Sequence, residues 1–318
     1  MSSPPTRVDP GAVVDDRPCD HRVEWWYFFI HLRAVDGEGE WSIVTTLLKK
    51  RLPVWGWPTA WLAATQVVDA RSPTRLCSGA IPALGCYEPA AFRWSTANLP
   101  FLPWWEMHRL PGAWSLRHRS RASFDLTLHD PAPPIFVGAD GVMTYGGGHE
   151  LGWYMRPFLT AEGTVTVGGR EVRVQGDGWM ERQWGWSPVE SFAWRYLTLR
   201  LDDGRRFLLF RTRVDGHEKT WGIRIHADGT TTEVPDLALT DEATTDPFPT
   251  TKVRGGGLAL QVTALPIDQL IRPGIPGAPS FYEGFSRVTG KVDGVDVTGV
   301  GVTELRVPSG SRAGGSPV

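Results

Sequence analysis

The chain has 318 residues, a formal net charge of −2, 41% hydrophobic and 21% charged residues, and many glycines (36), prolines (26) and tryptophans (16). The hydrophobic share supplies a core and excludes wholesale disorder. The near-neutral charge lacks the basic footprint of a general nucleic-acid binder, and the length suits about two domains of ordinary size.

The first residues, MSSPPTRVDPGAVVDDRPCD, place prolines and acids where an export signal needs an apolar stretch. They predict a disordered leader over 1–19 and a cytoplasmic protein. The most apolar run, Trp25 to Ile30, is far too short to span a membrane. Cys19, Cys77 and Cys86 are odd in number and lack CxxC spacing. They predict free thiols rather than a disulfide framework or zinc site.

Glu24 to Leu32 and Trp41 to Lys49 flank the turn Asp36-Gly37-Glu38-Gly39 and predict two strands. In the first, Glu24, Trp26, Phe28 and Ile30 share one face, and Trp25, Tyr27, Phe29 and His31 the other. Large apolar groups on both faces mean that both are covered. A carboxylate among such rings needs a partner or a proton, so Glu24 either pairs with an arginine to close the barrel or takes part in catalysis. Thr59 to Ala70 and Ile267 to Ile271 each have room for a turn or more of helix between prolines. Phe124 to Leu128 alternates as a strand does.

From Thr164 onward the pattern is one of hairpins. Gly168-Gly169, Asp203-Gly204, Asp215-Gly216, Asp228-Gly229 and Asp293-Gly294 each separate β-rich segments, and X-Gly pairs supply the positive φ of tight hairpins. The predicted fold class is all-β with few short helices. The predicted domains are 20–165 and 166–307, followed by a flexible tail over 308–318.

Metalloprotease, P-loop and nucleophile-elbow motifs are absent, and the eight histidines are scattered. No metal or other cofactor is predicted. The segment Gly176-Asp177-Gly178-Trp179-Met180-Glu181-Arg182-Gln183-Trp184-Gly185-Trp186 is more distinctive. Extended, it puts Trp179, Glu181 and Gln183 on one face and Met180, Arg182 and Trp184 on the other. Arg182 stacked on Trp184 or Trp186 makes a structural cation–π contact. Glu181 and Gln183, polar groups among tryptophans, either line a pocket or form a satisfied core network. Candidates for a shared apolar site are His149, Trp153 and Tyr154, then Trp194 and Tyr196, then Tyr282 and Glu283. Trp26, Trp179 and Trp184 are expected to line or back one apolar cavity.

Five motifs occur in order: EWWYFFIHL (Glu24–Leu32), the WY-M-P stretch (Trp153–Pro157), GDGWMERQWGW (Gly176–Trp186), FYEG (Phe281–Gly284) and GVGVTEL (Gly299–Leu305). Together, over about 20–307, the chain resembles the AttH-like family, whose relatives include carotenoid 1,2-hydratases and lipocalin-like Diels–Alderases. The resemblance implies two lipocalin-like antiparallel β-barrel domains packed together, a hydrophobic small-molecule ligand, and no metal, nucleotide or redox cofactor. The family usually has Asp where this chain has Glu181. The chain also lacks the Phe-Ser-Pro-Tyr-Tyr-like stretch associated with carotenoid hydratases.

The resulting expectation is a cyclase, of intramolecular Diels–Alder type, acting on an apolar polyene or polyketide intermediate. Glu181, Glu24, Gln183 and Tyr196 are the catalytic candidates. Trp26, Tyr27, His149, Trp153, Tyr154, Trp179, Trp184, Trp194, Tyr282 and Glu283 are the substrate-binding candidates. The alternatives are a hydratase or double-bond isomerase acting by general-acid protonation, and a carrier without catalytic activity.

Overall fold

The computed structural model describes residues 16–19, 21–51, 59–82, 85–89, 92–96, 103–138, 140–145, 148–185, 192–241, 249–272 and 281–306. Among them are 23 strands, β1 to β23 in chain order, forming two antiparallel sheets that each curl on themselves. The all-β expectation holds.

In the first sheet β1 (Val23–Ala34) runs between β2 (Glu40–Lys50) and β13 (Arg170–Gly185), and β13 pairs onward with β12 (Glu150–Val167). The two ends of the path, β4 (Thr74–Pro82) and β5 (Gly85–Glu88), are consecutive in the chain. The second sheet repeats that plan. It runs from β17 (Thr231–Glu233) through β14 (Ala193–Leu201), β23 (Val295–Arg306) and β22 (Phe281–Val292) to β18 (Ala238–Asp241), so its end strands are again consecutive.

The turn dipeptides explain the hairpins. Gly168-Gly169 (φ +59° and +80°), Asp215-Gly216 (+50° and +80°) and Asp293-Gly294 (+53° and +82°) are left-handed at both positions. That backbone matches the twist of the flanking strands. Pro157 lies inside β12, and the β12–β13 register shifts between Arg156 and Leu159. Proline has no N–H to give a ladder, so it sits at a bulge.

Two expectations are corrected. Thr59 to Ala70 is strand β3 (Ala60–Asp69), paired on both sides by β2 and β4. Ladder bonds and the β-branched Thr65, Val67 and Val68 outweigh the helical preference of its alanines. At the second site Leu270–Ile271 forms a short strand against β22. The domain boundary also moves. The first compact unit takes the described residues up to 144 and 149–185, and the second takes 145, 148, 192–241, 249–272 and 281–306. The boundary expected at 165/166 falls after β13 instead, because both arms of the β12–β13 hairpin belong to the first sheet.

The first core is aromatic. Trp26, Trp94, Trp105, Trp114, Trp153 and Trp184 are among the largest fully buried side chains, and all but Trp153 join one interior cluster with Phe28, Phe124 and Tyr154. The second core is mostly aliphatic, with Leu197, Leu199, Leu209, Leu260, Val262 and Val288 in its interior.

At Gly176 the backbone of β13 leaves no space for a side chain against β1. A Cβ there meets the His31 carbonyl oxygen at 2.0 Å. Gly176→Ala is expected to lower unfolding free energy by about 1–3 kcal/mol through forced backbone displacement, measured by urea denaturation.

Candidate functional site

The β1–β13 ladder runs without a slip from Val23↔Gly185 to Ala34↔Val174. Side chains alternate across it, so its two faces carry different chemistry. Trp26, Phe28, Met180 and Trp184 point into the first core. Tyr27, Phe29, Trp179, Glu181 and Gln183 lie on the opposite face.

On that opposite face Glu181 stands at the centre of three strands. Tyr27 of β1 is opposite it on one side and Met155 of β12 on the other. Trp25 and Trp153 flank Gln183 in the same way, and Phe29 is opposite Trp179. Glu181 is buried. Its Oε1 accepts the Trp179 indole N–H at 2.5 Å, and its Oε2 accepts Trp153 Nε1 at 3.1 Å and Gln183 Nε2 at 3.4 Å. Both oxygens act as acceptors, the bonding pattern of an ionised carboxylate. An indole N–H has no acceptor lone pair, so these bonds orient the carboxylate without competing for a proton.

The core-facing side holds an acid in a different setting. Glu24 and Arg182 are both fully buried and form an ion pair, with Arg182 Nε at 3.0 Å from Glu24 Oε1. Lys49 Nζ adds a contact at 3.3 Å, and the Cys19 backbone N–H donates to Glu24 Oε2 at 3.0 Å. Arg182 lies 4.9 Å from the Trp184 ring centroid and 5.4 Å from that of Trp26, and donates to the Arg17 carbonyl at 2.6 Å. Burial and the neighbouring Glu24 push the Cys19 thiol up to about 12 against the pull of Arg182, so it stays protonated.

Residues 16–19, placed in the leader by the sequence, are bound into this end of the first unit; residues 1–15 lie outside the described residues. The Trp26 indole donates to the Asp16 carbonyl at 2.9 Å, and the Tyr154 hydroxyl bonds the Asp16 carboxylate. Arg109 and Arg156 bridge Asp16 to Asp130.

The sequence candidates therefore separate. Tyr27, Trp153, Trp179, Glu181 and Gln183 come together on one face. Glu24, Trp26, Tyr154 and Trp184 lie on the other, in an ion-paired and aromatic interior. Trp179 lies on the opposite face from Trp26 and Trp184, which join the core, since odd and even positions of β13 point to opposite faces. Partly buried His149 precedes β12, and Trp186 lies outside the described residues. Trp194, Tyr196, Tyr282 and Glu283 belong to the second sheet. There Tyr196 and Glu283 share a face, while Tyr282 is on the alternate one, its hydroxyl 3.4 Å from Gln269 Nε2. The sequence reading missed Lys49, Asp16 and Asp130, whose partners are all distant along the chain.

The sequence profile of the AttH-like family matches residues 15–307. The chain belongs to the AttH-like family. A crystal structure assigned to AttH of Nitrosomonas europaea superposes with a TM-score of 0.71 at 19% identity, covering 90% of this chain and 93% of that one. Kievitone hydratase from Nectria haematococca gives 0.72 at 16% identity, covering 91% and 89%. CghA with Sch210972 gives 0.57 at 14% identity, covering 90% and 89%. In sequence the chain is 23% identical over 203 residues to the dehydratase asqC of Emericella nidulans. That match spans 58% of each protein's length. The structural likenesses establish the shared AttH-like, lipocalin-type fold.

The Glu24–Arg182 pair is structural by its enclosure. Arg182→Leu leaves a buried carboxylate without its guanidinium and is expected to lower unfolding free energy by about 3–5 kcal/mol. Adding Glu24→Leu is expected to recover part of that loss, both read by urea denaturation.

Proposed function

We propose that this AttH-like chain is a hydro-lyase that adds or removes water at a carbon–carbon double bond of an apolar small molecule, with Glu181 as the proton-transfer group. The observation that carries this reading is the buried Glu181 carboxylate, held through both oxygens by indole N–H groups at the centre of an aromatic face. The dehydratase and hydratase among the similar proteins support the same reaction class.

In the elimination direction Glu181 takes the proton from the carbon beside the one bearing the hydroxyl. The C–H electron pair becomes the double bond, and the C–O bond breaks. The leaving oxygen takes a proton from the Tyr27 phenol, which stands opposite Glu181 in the ladder, and departs as water. Return of the Glu181 proton to Tyr27 closes the cycle; hydration is the reverse. A positioned carboxylate of this kind contributes roughly 10²–10⁴-fold. The surrounding rings exclude water and hold an apolar substrate.

The same aromatic plates favour a second reading, intramolecular Diels–Alder cyclisation of a polyene, which needs a folded substrate and one polarising hydrogen bond. Incubating the protein with β-hydroxy ketones and the matching enones in oxygen-18 water separates the two. Hydration incorporates the label and cyclisation does not. Glu181→Gln, with unchanged far-UV circular dichroism, is expected to lose at least about a hundredfold in turnover. Undiminished turnover in that variant overturns the role of Glu181.

A further inference from the structure

The motif GVGVTEL places Glu304 near the end of β23, directly opposite Glu283 of β22 and opposite Tyr196 of β14. No bulge interrupts either register, so the three side chains share one face of the second sheet, with Cβ atoms of opposed residues about 4.5–5.5 Å apart. That face turns away from the aliphatic core formed by Leu197, Leu199 and Val288. Glu283 and Tyr196 are buried and Glu304 is partly so. The Trp194 indole N–H donates to Glu304 Oε1 at 2.7 Å. Apolar rings continue the surface: Phe210 is 5.6 Å from Tyr196, and Tyr145 packs on Phe210 and Phe192.

An independent observation points to a ligand there. Thr198, diagonal to Glu304 on the same face, is 2% exposed, and its hydroxyl has no hydrogen-bond partner among the described residues. A buried polar group without a partner is costly.

We propose that Glu304 and Glu283, capped by Trp194, form a proton-sharing carboxyl pair that donates a hydrogen bond to a carbonyl oxygen of an apolar small molecule. Two enclosed carboxyls on opposed residues cannot both ionise cheaply, so one keeps its proton. Among the described residues of this sheet, the charged and titratable groups opposite or beside Glu304 are Glu283 on β22, Tyr196 on β14 and Arg306 on its own strand. Burial raises the Glu304 carboxyl to about 7, opposed by the Trp194 N–H and Arg306. The protonated, donating form therefore exists below about pH 7 and is lost as pH rises through that value. This site stands independently of the reaction proposed for Glu181, and binding rather than turnover reads it.

The test is calorimetric titration of the full chain with benzylideneacetone, an aryl enone, and with β-methylstyrene, its counterpart without the carbonyl. Enone affinity is expected to fall roughly tenfold between about pH 6 and pH 8, following the protonated fraction of a group titrating near 7. Affinity for the hydrocarbon is expected to stay constant. Glu304→Leu is expected to weaken enone binding about tenfold at the lower pH, worth about 1.4 kcal/mol. Glu304→Gln keeps the length and a donor but has no titrating proton, so it should bind the enone equally at both pH values. The proposal is overturned by pH-independent enone binding, by a Gln variant that keeps the pH dependence, or by no preference for the enone over the hydrocarbon.

Discussion

The unbroken antiparallel ladder between β1 and β13 is the constraint on which the first unit depends. Both faces of this strand pair are covered, so neither strand can follow the usual apolar-in, polar-out rule. A one-residue slip would exchange every side chain between faces. It would carry Arg182 away from Glu24 and turn Glu181 into the tryptophan core. The register is held by the large rings on both sides and by the tight glycine approach at Gly176, where there is no room for a side chain.

Two glutamates thus sit on one strand pair in opposite electrostatic settings. Glu24 meets a guanidinium, an ammonium and a backbone N–H, and its charge is spent on closing the end of the barrel. Such an enclosed pair contributes little net stability, because desolvating two ions offsets most of their attraction. Its value lies in fixing which segment fills the barrel end, since Arg182 and Lys49 also hold Arg17 and Cys19. Glu181 has neutral N–H donors and aromatic rings instead.

The two units reach a buried interior by different means. The first uses interlocking indoles, two of whose N–H groups find oxygens: Trp26 the Asp16 carbonyl and Trp105 the Thr45 hydroxyl at 2.7 Å. The second uses mostly leucine and valine inside, with Phe207 among them, and carries Tyr196, Phe210, Glu283 and Glu304 on the other face of the sheet. Burial, which outweighs the pull of the Trp194 N–H and Arg306, is what separates Glu304 from the surface carboxylates of the same unit, such as Asp203, whose pKa is lowered by its Arg205 partner.

Local rules made much of this legible from the amino-acid order. The Asp-Gly and Gly-Gly pairs located the hairpins, because φ preference is a property of the residue itself. Strict alternation along 24–32 and 176–185 separated the residues on each face before any partner was known. Local rules also misled: Ala60–Asp69 reads as helix until the ladders on both its sides are seen, and the domain boundary was drawn through a hairpin. Tertiary structure alone decided the partners. Glu24 finds Arg182 at a separation of 158 residues, and Trp153 reaches Glu181 from a neighbouring strand. The amino-acid sequence announced a tryptophan-rich β protein with an acid in four of its five motifs. Only the folded sheets decided which acid is neutralised by an arginine and which is left among rings, because a charge's environment is set by the strands that pair beside it.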